Sequence, residues 1–183
     1  MLAGNKSVQI DNWTWGREII IWGYSPEHKY TFKILEPKKG RAGCLSLQYH
    51  HDKSETWLVL NGIAWILVVF EGQICTRIMR PGDVQNLPAG TIHRLMAVTD
   101  NLRVAEPSTP DVHAADKSKP KDVVRLHCVH GRECSAARDS NEARIVELAT
   151  HHTAKAIESI AAGATPEQQN LEILAAHGAF SLD

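Results

Sequence analysis

Four side chains of kinds that bind divalent metal ions stand in two separate segments of the chain. Gln48 and His50 alternate within a predicted strand, so both project from the same face, about 6–7 Å apart along the backbone. A short loop then leads to Glu55 at the start of the next strand, and His93 follows in a much later strand. An amide, two imidazoles and a carboxylate predict one divalent metal ion. Zinc is favoured, and manganese, iron, cobalt or nickel are compatible.

The other histidines and the cysteines are less suited to a metal site. His51 has the opposite strand parity to His50 and is predicted to lie at the surface or behind the ligands. His151 and His152 are neighbours on a predicted helix, where adjacent residues do not share a face. The four cysteines match no zinc-binding spacing. The alternative for the four favoured residues is a metal-free barrel in which they only form hydrogen bonds.

Two spaced motifs contain the four favoured residues. The first is Q-x-H-x4-E-x6-G over Gln48–Gly62, and the second is G-x5-P-x-G-x2-H over Gly82–His93. Together they resemble the two signature motifs of the cupin superfamily, with glutamine in place of the usual first histidine. Within that superfamily, Leu45–Trp57 and Pro88–Arg94 are similar in sequence to the corresponding motifs of the cupin domain of type II mannose-6-phosphate isomerases. The likeness extends over roughly residues 15–126.

This resemblance implies a fold, a reaction and one further site residue. The fold is mainly β, a double-stranded β-helix or jelly roll with the metal inside its barrel. The reaction is the metal-dependent interconversion of an aldose and a ketose phosphate, with a small sugar phosphate as substrate. Arg94 stands where that family has a basic residue often assigned to the working site, although a structural ion pair is an equally good interpretation. Lys33 is the other catalytic candidate, as a group that moves the proton.

Two other functions stay open, because one fold hosts many activities. The first is a cupin dioxygenase that uses ferrous iron, which the histidine and carboxylate ligands permit. The second is a non-catalytic cupin that binds a sugar or another small molecule without turning it over.

Short strands separated by Gly, Pro and Asn turns are predicted along the first two thirds of the chain, which is typical of a β-sandwich or barrel. The predicted strands are Val8–Ile10, Arg17–Trp22, Tyr30–Leu35, Cys44–His51, Thr56–Asn61, Ala64–Phe70, Gln73–Met79, Val84–Leu87, Thr91–Ala97, Leu102–Glu106 and Asp122–Leu126. Residues 1–126 therefore form the predicted cupin domain. Within it, Pro107–Lys121 is polar and is predicted to be a surface arm or linker.

Residues 136–183 are predicted to form a helical C-terminal extension. One helix begins near Ser140 and ends at Gly163, with a frayed middle at Thr150–Thr153 as an alternative. A second helix follows the capping box Thr165–Gln168. The apolar faces of these helices are predicted to pack on the barrel or on a second copy of the chain, and a homodimer is expected.

Composition excludes several classes of partner. The 183 residues carry a net charge of −1, with 43% hydrophobic and 22% charged residues, so neither nucleic acid nor an anionic membrane is an expected partner. The longest apolar run, Gly62–Phe70, is far shorter than the ~20 residues that span a bilayer. The start of the chain lacks the apolar core of a secretory signal. The scattered cysteines favour a reducing, cytoplasmic setting.

Overall fold

The computed structural model describes residues 8–25 and 27–167. Its strands are β1 (Gln9–Trp13), β2 (Gly16–Trp22), β3 (Thr31–Pro37), β4 (Leu47–His50), β5 (Glu55–Asn61), β6 (Ala64–Phe70), β7 (Gln73–Met79), β8 (Val84–Leu87), β9 (His93–Ala97), β10 (Arg103–Ser108) and β11 (Val123–His127). Its helices are α1 (Val112–Ala115) and α2 (Ser140–Ala161), and a 3-10 turn occupies Gly40–Gly43.

The strands form two antiparallel sheets. The six-stranded sheet has the order β1-β2-β3-β10-β5-β8, and the five-stranded sheet has the order β11-β4-β9-β6-β7. Several neighbouring strands, such as β3 and β10 or β4 and β9, are distant in sequence, which is the arrangement of the predicted jelly roll. The prediction of a mainly β fold of this kind, with a helix after it, is confirmed.

Two hydrophobic cores result from this arrangement. One lies between the two sheets and includes Trp57, Ile66 and Leu95. The other lies on the outer side of the five-stranded sheet, where α2 presents Ile145, Ala149, Ala156 and Ile160 to it; its sheet residues include Leu47, Tyr49, Trp65 and Met96. Because α2 covers this sheet, each of its central strands is buried on both faces, as predicted for Ala64–Phe70.

The strand that carries the first predicted ligands is shorter than expected. It begins at Leu47 rather than Cys44, because the chain first makes the 3-10 turn at Gly40–Gly43. A side chain at Gly43 would collide with the backbone of Lys38, so this close approach requires glycine. Gln48 and His50 still alternate with Leu47 and Tyr49, and the parity argument is unaffected.

The C-terminal helix also differs in detail from its prediction. It is continuous from Ser140 to Ala161, without a frayed middle, and its N-cap is Asp139, whose side chain accepts a hydrogen bond from the Glu142 amide. The second predicted helix, after Thr165–Gln168, lies largely outside the described residues. None of the described helices has the length and apolar character needed to cross a bilayer.

Candidate metal centre

Three of the predicted ligands meet in the interior between the sheets. His50 ends β4, Glu55 begins β5 and His93 begins β9, so all three lie at the same end of the barrel. One potential ligand atom from each lies within 4.8 Å of the others. All three side chains are buried, with relative exposures of 6%, 4% and 3%. No other such group of three or more His, Cys, Asp or Glu residues occurs in the described part of the chain.

The hydrogen bonds of the two imidazoles fix which nitrogen carries the proton. His93 Nδ1 lies 2.8 Å from the Thr91 carbonyl oxygen, which can only accept, so Nδ1 carries the hydrogen. His50 Nδ1 lies 3.2 Å from Asp122 Oδ2, a carboxylate oxygen, and donates to it in the same way. In each neutral ring the lone pair is therefore left on Nε2.

These two lone pairs face the carboxylate of Glu55. His50 Nε2 lies 3.5 Å from Oε1, and His93 Nε2 lies 3.4 Å from Oε2. Neither Nε2 has a hydrogen-bond partner among the described residues, although both atoms are buried. The Lys53 ammonium pairs with Glu55, but neither lone pair has a donor, and a cation among the three groups would satisfy both. The arrangement therefore fits a divalent ion, and the structure has a possible His/Glu metal site here.

The electrostatics of the cluster keep the ligands ready for a metal. Burial, assisted by the positive charge of Lys53, lowers the pKa of His50 to about 3. Burial also lowers the pKa of His93, although the negative charge of Glu55 opposes this shift. Burial favours the neutral form of Glu55, but the Lys53 ammonium outweighs it and holds the pKa of this carboxyl below its usual value. At neutral pH the site thus holds two neutral imidazoles and a carboxylate, the protonation states that metal binding needs.

Gln48, the fourth predicted ligand, is placed next to this cluster by strand pairing. It lies directly opposite His93 in the β4–β9 pair, and residues opposite each other in an antiparallel pair project from the same face. The side chain is partly buried. Its participation in metal binding stays a prediction. His51 lies on the other face, is exposed and packs edge-on against the Tyr49 ring, in agreement with its parity.

Asp122, which sequence reasoning missed, connects His50 to the segment that closes this end of the barrel. Besides accepting from His50, its carboxylate accepts hydrogen bonds from the backbone amides of Asp52 and Lys53 at 2.8 and 3.1 Å. Burial opposes ionisation of Asp122, but these two amides hold its pKa below the usual value. No local sequence pattern predicts the role of Asp122, because its contact with His50 joins positions about 70 residues apart in the chain.

A chain of buried charges extends from the cluster through the barrel interior. Lys53 forms an ion pair with Glu55 Oε1, and its ammonium lies 3.9 Å from Glu106 Oε1. Lys33 lies 3.3 Å from the same Glu106 oxygen and 3.2 Å from Glu18 Oε2. Lys53 and Glu106 were not among the predicted site residues. The position of Lys53, two residues before Glu55, is a sequence feature that could have predicted it. No sequence feature could have predicted Glu106.

The two predicted catalytic residues have different locations. Lys33 is inside the barrel and belongs to the chain of charges just described. Arg94 lies on the opposite face of β9 from His93, under α2, where it donates hydrogen bonds to Thr153 Oγ1 at 2.7 Å and to the His127 carbonyl at 2.9 Å. The structure thus places Lys33, but not Arg94, in the barrel interior that holds the cluster. A catalytic role for either residue stays a prediction.

Two clefts at the surface lie away from the His50, Glu55 and His93 cluster. One of about 610 Å³ is lined by residues that include Arg17, Glu36 and Arg103. Another of about 380 Å³ lies beside α2 and includes Trp65 and His152. None of the four predicted ligands lines either cleft. The candidate centre itself is buried in the barrel interior.

Solved structures show where else this fold occurs. The capsular polysaccharide assembling protein CapF from Staphylococcus aureus matches with a TM-score of 0.54 and 18% identity, over 68% of this chain and 33% of that one. A formate complex of oxalate decarboxylase from Lactobacillus farciminis matches with a TM-score of 0.51 and 17% identity, over 65% and 33%. The chain spans about a third of the length of these proteins. At such identities the likeness shows the shared cupin fold alone.

Sequence comparison identifies the family. A search of curated proteins finds no significant match. The family model described as "Mannose-6-phosphate isomerase C-terminal" matches residues 14–109, which include all four predicted ligands and more than half of the 183-residue chain. The chain therefore belongs to the mannose-6-phosphate isomerase C-terminal family of cupins.

Proposed function

We propose that this protein is a metal-dependent aldose–ketose isomerase that acts on a sugar phosphate. The observation that carries the proposal is the pair of buried, unpartnered Nε2 atoms that face the Glu55 carboxylate. Family membership supports the reaction class, since the matching family is named for an isomerase. The proposed ligands are His50, Glu55 and His93, with Gln48 as the fourth.

The chemistry of such a reaction needs a polarised carbonyl and a group that moves a proton between two carbons. A divalent ion held by the four ligands would supply a Lewis acid for the carbonyl and neighbouring hydroxyl oxygens of the open-chain sugar, with zinc favoured. The residues around the cluster would supply the rest.

We assign proton transfer to Glu106, which Lys53 connects to Glu55. Glu106 Oε1 lies 3.9 Å from Lys53 Nζ and 3.3 Å from Lys33 Nζ, and its Oε2 accepts a hydrogen bond from Trp57 Nε1 at 3.2 Å. These partners hold the carboxylate in one orientation, and Oε1 is the proposed proton acceptor.

Lys33 suits an electrostatic role better than that of a base. Burial favours its neutral form, but Glu106 and Glu18 outweigh this and raise its pKa well above the usual value. It therefore remains an ammonium at neutral pH and cannot accept a proton. We propose that Lys33 stabilises negative charge on the substrate or on Glu106. The proposed setting is the cytoplasm and the proposed assembly is a homodimer.

The test combines metal analysis with an assay. Protein purified without added metal is examined by elemental analysis, and is then assayed for interconversion of aldose and ketose hexose phosphates with each divalent ion. We expect isomerisation that depends on metal, falls at least about a hundredfold in Glu106→Gln and persists in His51→Ala.

Two results would contradict the proposal. Oxygen consumption that depends on ferrous iron, without isomerisation, would point to a dioxygenase. Tight binding of an unchanged sugar phosphate by the metal-loaded protein would point to a binding module.

A further inference from the structure

Three of the four cysteines lie in one region, at the β11 edge of the five-stranded sheet. Cys128 directly follows β11, and Cys134 stands six residues after it. The segment between them contacts Cys44, whose carbonyl oxygen lies 3.1 Å from His130 Nε2. The fold thus brings together cysteines that stand far apart in the sequence.

The residue Arg132 contacts two of these thiols. Its Nε donates a hydrogen bond to Cys128 Sγ over 3.2 Å, and its carbonyl oxygen accepts one from Cys134 Sγ over 3.3 Å. Its Nη2 donates to Ser46 Oγ at 2.6 Å, which fixes the orientation of the guanidinium. One residue therefore connects both thiols, and its cationic group is directed at Cys128.

Four arginines in this region have only neutral partners in the described part of the chain: Arg41, Arg94, Arg125 and Arg132. Their partners are carbonyl oxygens, hydroxyls, an imidazole and the Cys128 thiol, and the ion pairs between arginine and carboxylate involve other arginines. Arg94 is fully buried, and its Nε has no partner among the described residues. Positive charge without a carboxylate favours the ionised form of a nearby thiol.

The surroundings make Cys128 the more acidic thiol of the pair. Burial opposes its ionisation, but hydrogen bonds from the Arg132 side chain and from the backbone of His130 and Arg132 outweigh this and lower its pKa to about 7. Partial burial, followed by the negative charge of Cys128, raises the pKa of Cys134. At neutral pH, Cys128 is therefore about half thiolate, whereas Cys134 remains a thiol. A thiolate beside a second thiol is the usual arrangement of an oxidation-sensitive site.

A fourth cysteine, Cys75 on β7, shows that accessibility alone does not produce this difference. Cys75 is 8% exposed and Cys128 is 9% exposed. Burial raises the pKa of Cys75, whereas the hydrogen bonds from Arg132 lower that of Cys128. Two thiols of nearly equal accessibility thus differ in their electrostatic surroundings, and Cys75 is an internal control for the reactivity of Cys128.

We propose that Cys128 is a modification site that hydrogen peroxide oxidises, and that Cys134 then captures the oxidised sulfur in a disulfide. In the first step the Cys128 sulfur attacks one peroxide oxygen. The S–O bond forms as the O–O bond breaks, and the other oxygen takes up a proton and leaves as water. Cys128 becomes a sulfenic acid, oxidised by two electrons, while the peroxide is reduced.

The second step closes the disulfide. The Cys134 sulfur attacks the Cys128 sulfur, so that the S–S bond forms and the S–O bond breaks. The hydroxyl group leaves with the thiol proton as a second molecule of water. Two thiols and one peroxide therefore give one disulfide and two waters. No predicted metal ligand takes part in either step.

The first test follows the intact mass of the full chain after treatment with hydrogen peroxide, and it needs neither metal nor substrate. The wild-type protein should lose two hydrogen atoms, and peptide mapping should place the disulfide between Cys128 and Cys134. Cys134→Ser should instead gain one oxygen atom at Cys128, which dimedone traps as a sulfenic acid. Cys128→Ser should show neither change, whereas Cys75→Ser should behave like the wild-type protein.

The second test measures thiol reactivity without an oxidant. At pH 7, iodoacetamide should label Cys128 at least about fivefold faster than Cys75, because a larger fraction is ionised, although a thiolate of lower pKa is less nucleophilic. The midpoint of Cys128 labelling should lie near pH 7, and Arg132→Met should move it toward ~8.5, the ordinary value. Arg144→Met, which changes an exposed arginine on α2, is the matched control and should leave the midpoint unchanged. Circular dichroism verifies that both variants are folded.

Three results would overturn the proposal. The first is equal labelling of Cys128 and Cys75 in the wild-type protein, a comparison that requires no variant. The second is an oxidation product of the wild-type protein that does not include Cys128. The third is a folded Cys134→Ser variant that still loses two hydrogen atoms, since another cysteine would then be the partner of Cys128.

Discussion

Two neighbouring residues of β9, His93 and Arg94, are both buried polar side chains, and their surroundings differ in one respect. Arg94, on the outer face, donates to Thr153 Oγ1 and to both the carbonyl and Nδ1 of His127. His93, on the inner face, has its Nε2 aimed at the Glu55 carboxylate with no donor to satisfy it. Two nitrogens of the outer guanidinium are bonded within the protein and its Nε has no partner, whereas the lone pair of the inner imidazole has no donor.

This difference marks the inner cluster as the better candidate for binding a further group. A buried polar group without a partner costs free energy, and here two lone pairs and a carboxylate converge on one point that a cation would satisfy. Burial alone does not distinguish the two clusters, because His93 and Arg94 are 3% and 0% exposed. The distinguishing feature is the direction and protonation of the polar atoms.

The largest expected effect is the loss of metal binding when an inner ligand is removed. His50→Ala should weaken the binding of zinc by more than about a hundredfold. This exceeds the loss expected when only a residue hydrogen-bonded to a ligand is removed. His51→Ala, one residue along and on the other face, should bind zinc like the wild-type protein. Titration calorimetry with zinc measures both. Equal losses in the two variants would show that strand parity does not separate ligand from surface residue.

The next effect concerns stability and the outer cluster. Arg94→Met should lower the free energy of unfolding by about 2–4 kcal/mol, because the carbonyl and Nδ1 of His127 lose a buried donor. Zinc affinity should be unchanged, since Arg94 lies on the far face from the cluster. Urea unfolding and zinc titration together measure this. A folded, stable Arg94→Met that binds zinc and loses isomerase activity would instead support the catalytic role predicted for Arg94.

A smaller effect should follow from Asp122, which orients an inner ligand. Asp122→Ala removes the acceptor for His50 Nδ1 and should weaken zinc binding by about 10–100-fold. Asp111→Ala is the matched control, because Asp111 lies in the same segment and caps α1 without contacting the cluster. If both variants bind zinc equally, Asp122 only holds the loop at Asp52 and Lys53.

The smallest effect, expressed per pH unit, is the pH dependence that the inner cluster imposes on folding. The unfolded imidazoles titrate near 6.5, whereas His50 has a pKa of about 3 in the fold and that of His93 is also lowered. The unfolded state therefore binds more protons below pH ~6.5, and the metal-free protein should lose stability as pH falls toward 3, by about 1 kcal/mol per pH unit for each imidazole.

Urea unfolding of the metal-free protein between pH 7 and 4.5 measures how the free energy of unfolding changes with pH. His50→Gln should reduce this slope by the amount that corresponds to about one proton taken up on unfolding. A slope that His50→Gln leaves unchanged would assign the effect to other groups. The carboxyl of Glu55, whose pKa is also lowered, acts in the same direction at lower pH, since its contribution is lost as it becomes protonated.

Sequence reasoning was most successful where a local rule determines the outcome. Strand alternation separated His50 from His51, and Gly, Pro and Asn turns located the strands to within a few residues. Spacing between motifs located Glu55 and His93. Sequence reasoning failed for Asp122 and Glu106, because each contacts residues of distant strands. Residues so far apart in sequence form no periodic pattern.

The resemblance of two motifs indicated a cupin, and strand alternation with motif spacing predicted four ligands, because each of these features is a property of one strand or one turn. Three of the four, His50, Glu55 and His93, converge in the structure. Only the tertiary structure decided what surrounds those side chains. Strand order brings Glu106 and Asp122 to the neighbourhood of the cluster, and the packing of α2 encloses Arg94 on the outer face of β9. The physical reason is that hydrogen bonds and charges act through space between strands that the sequence lists far apart.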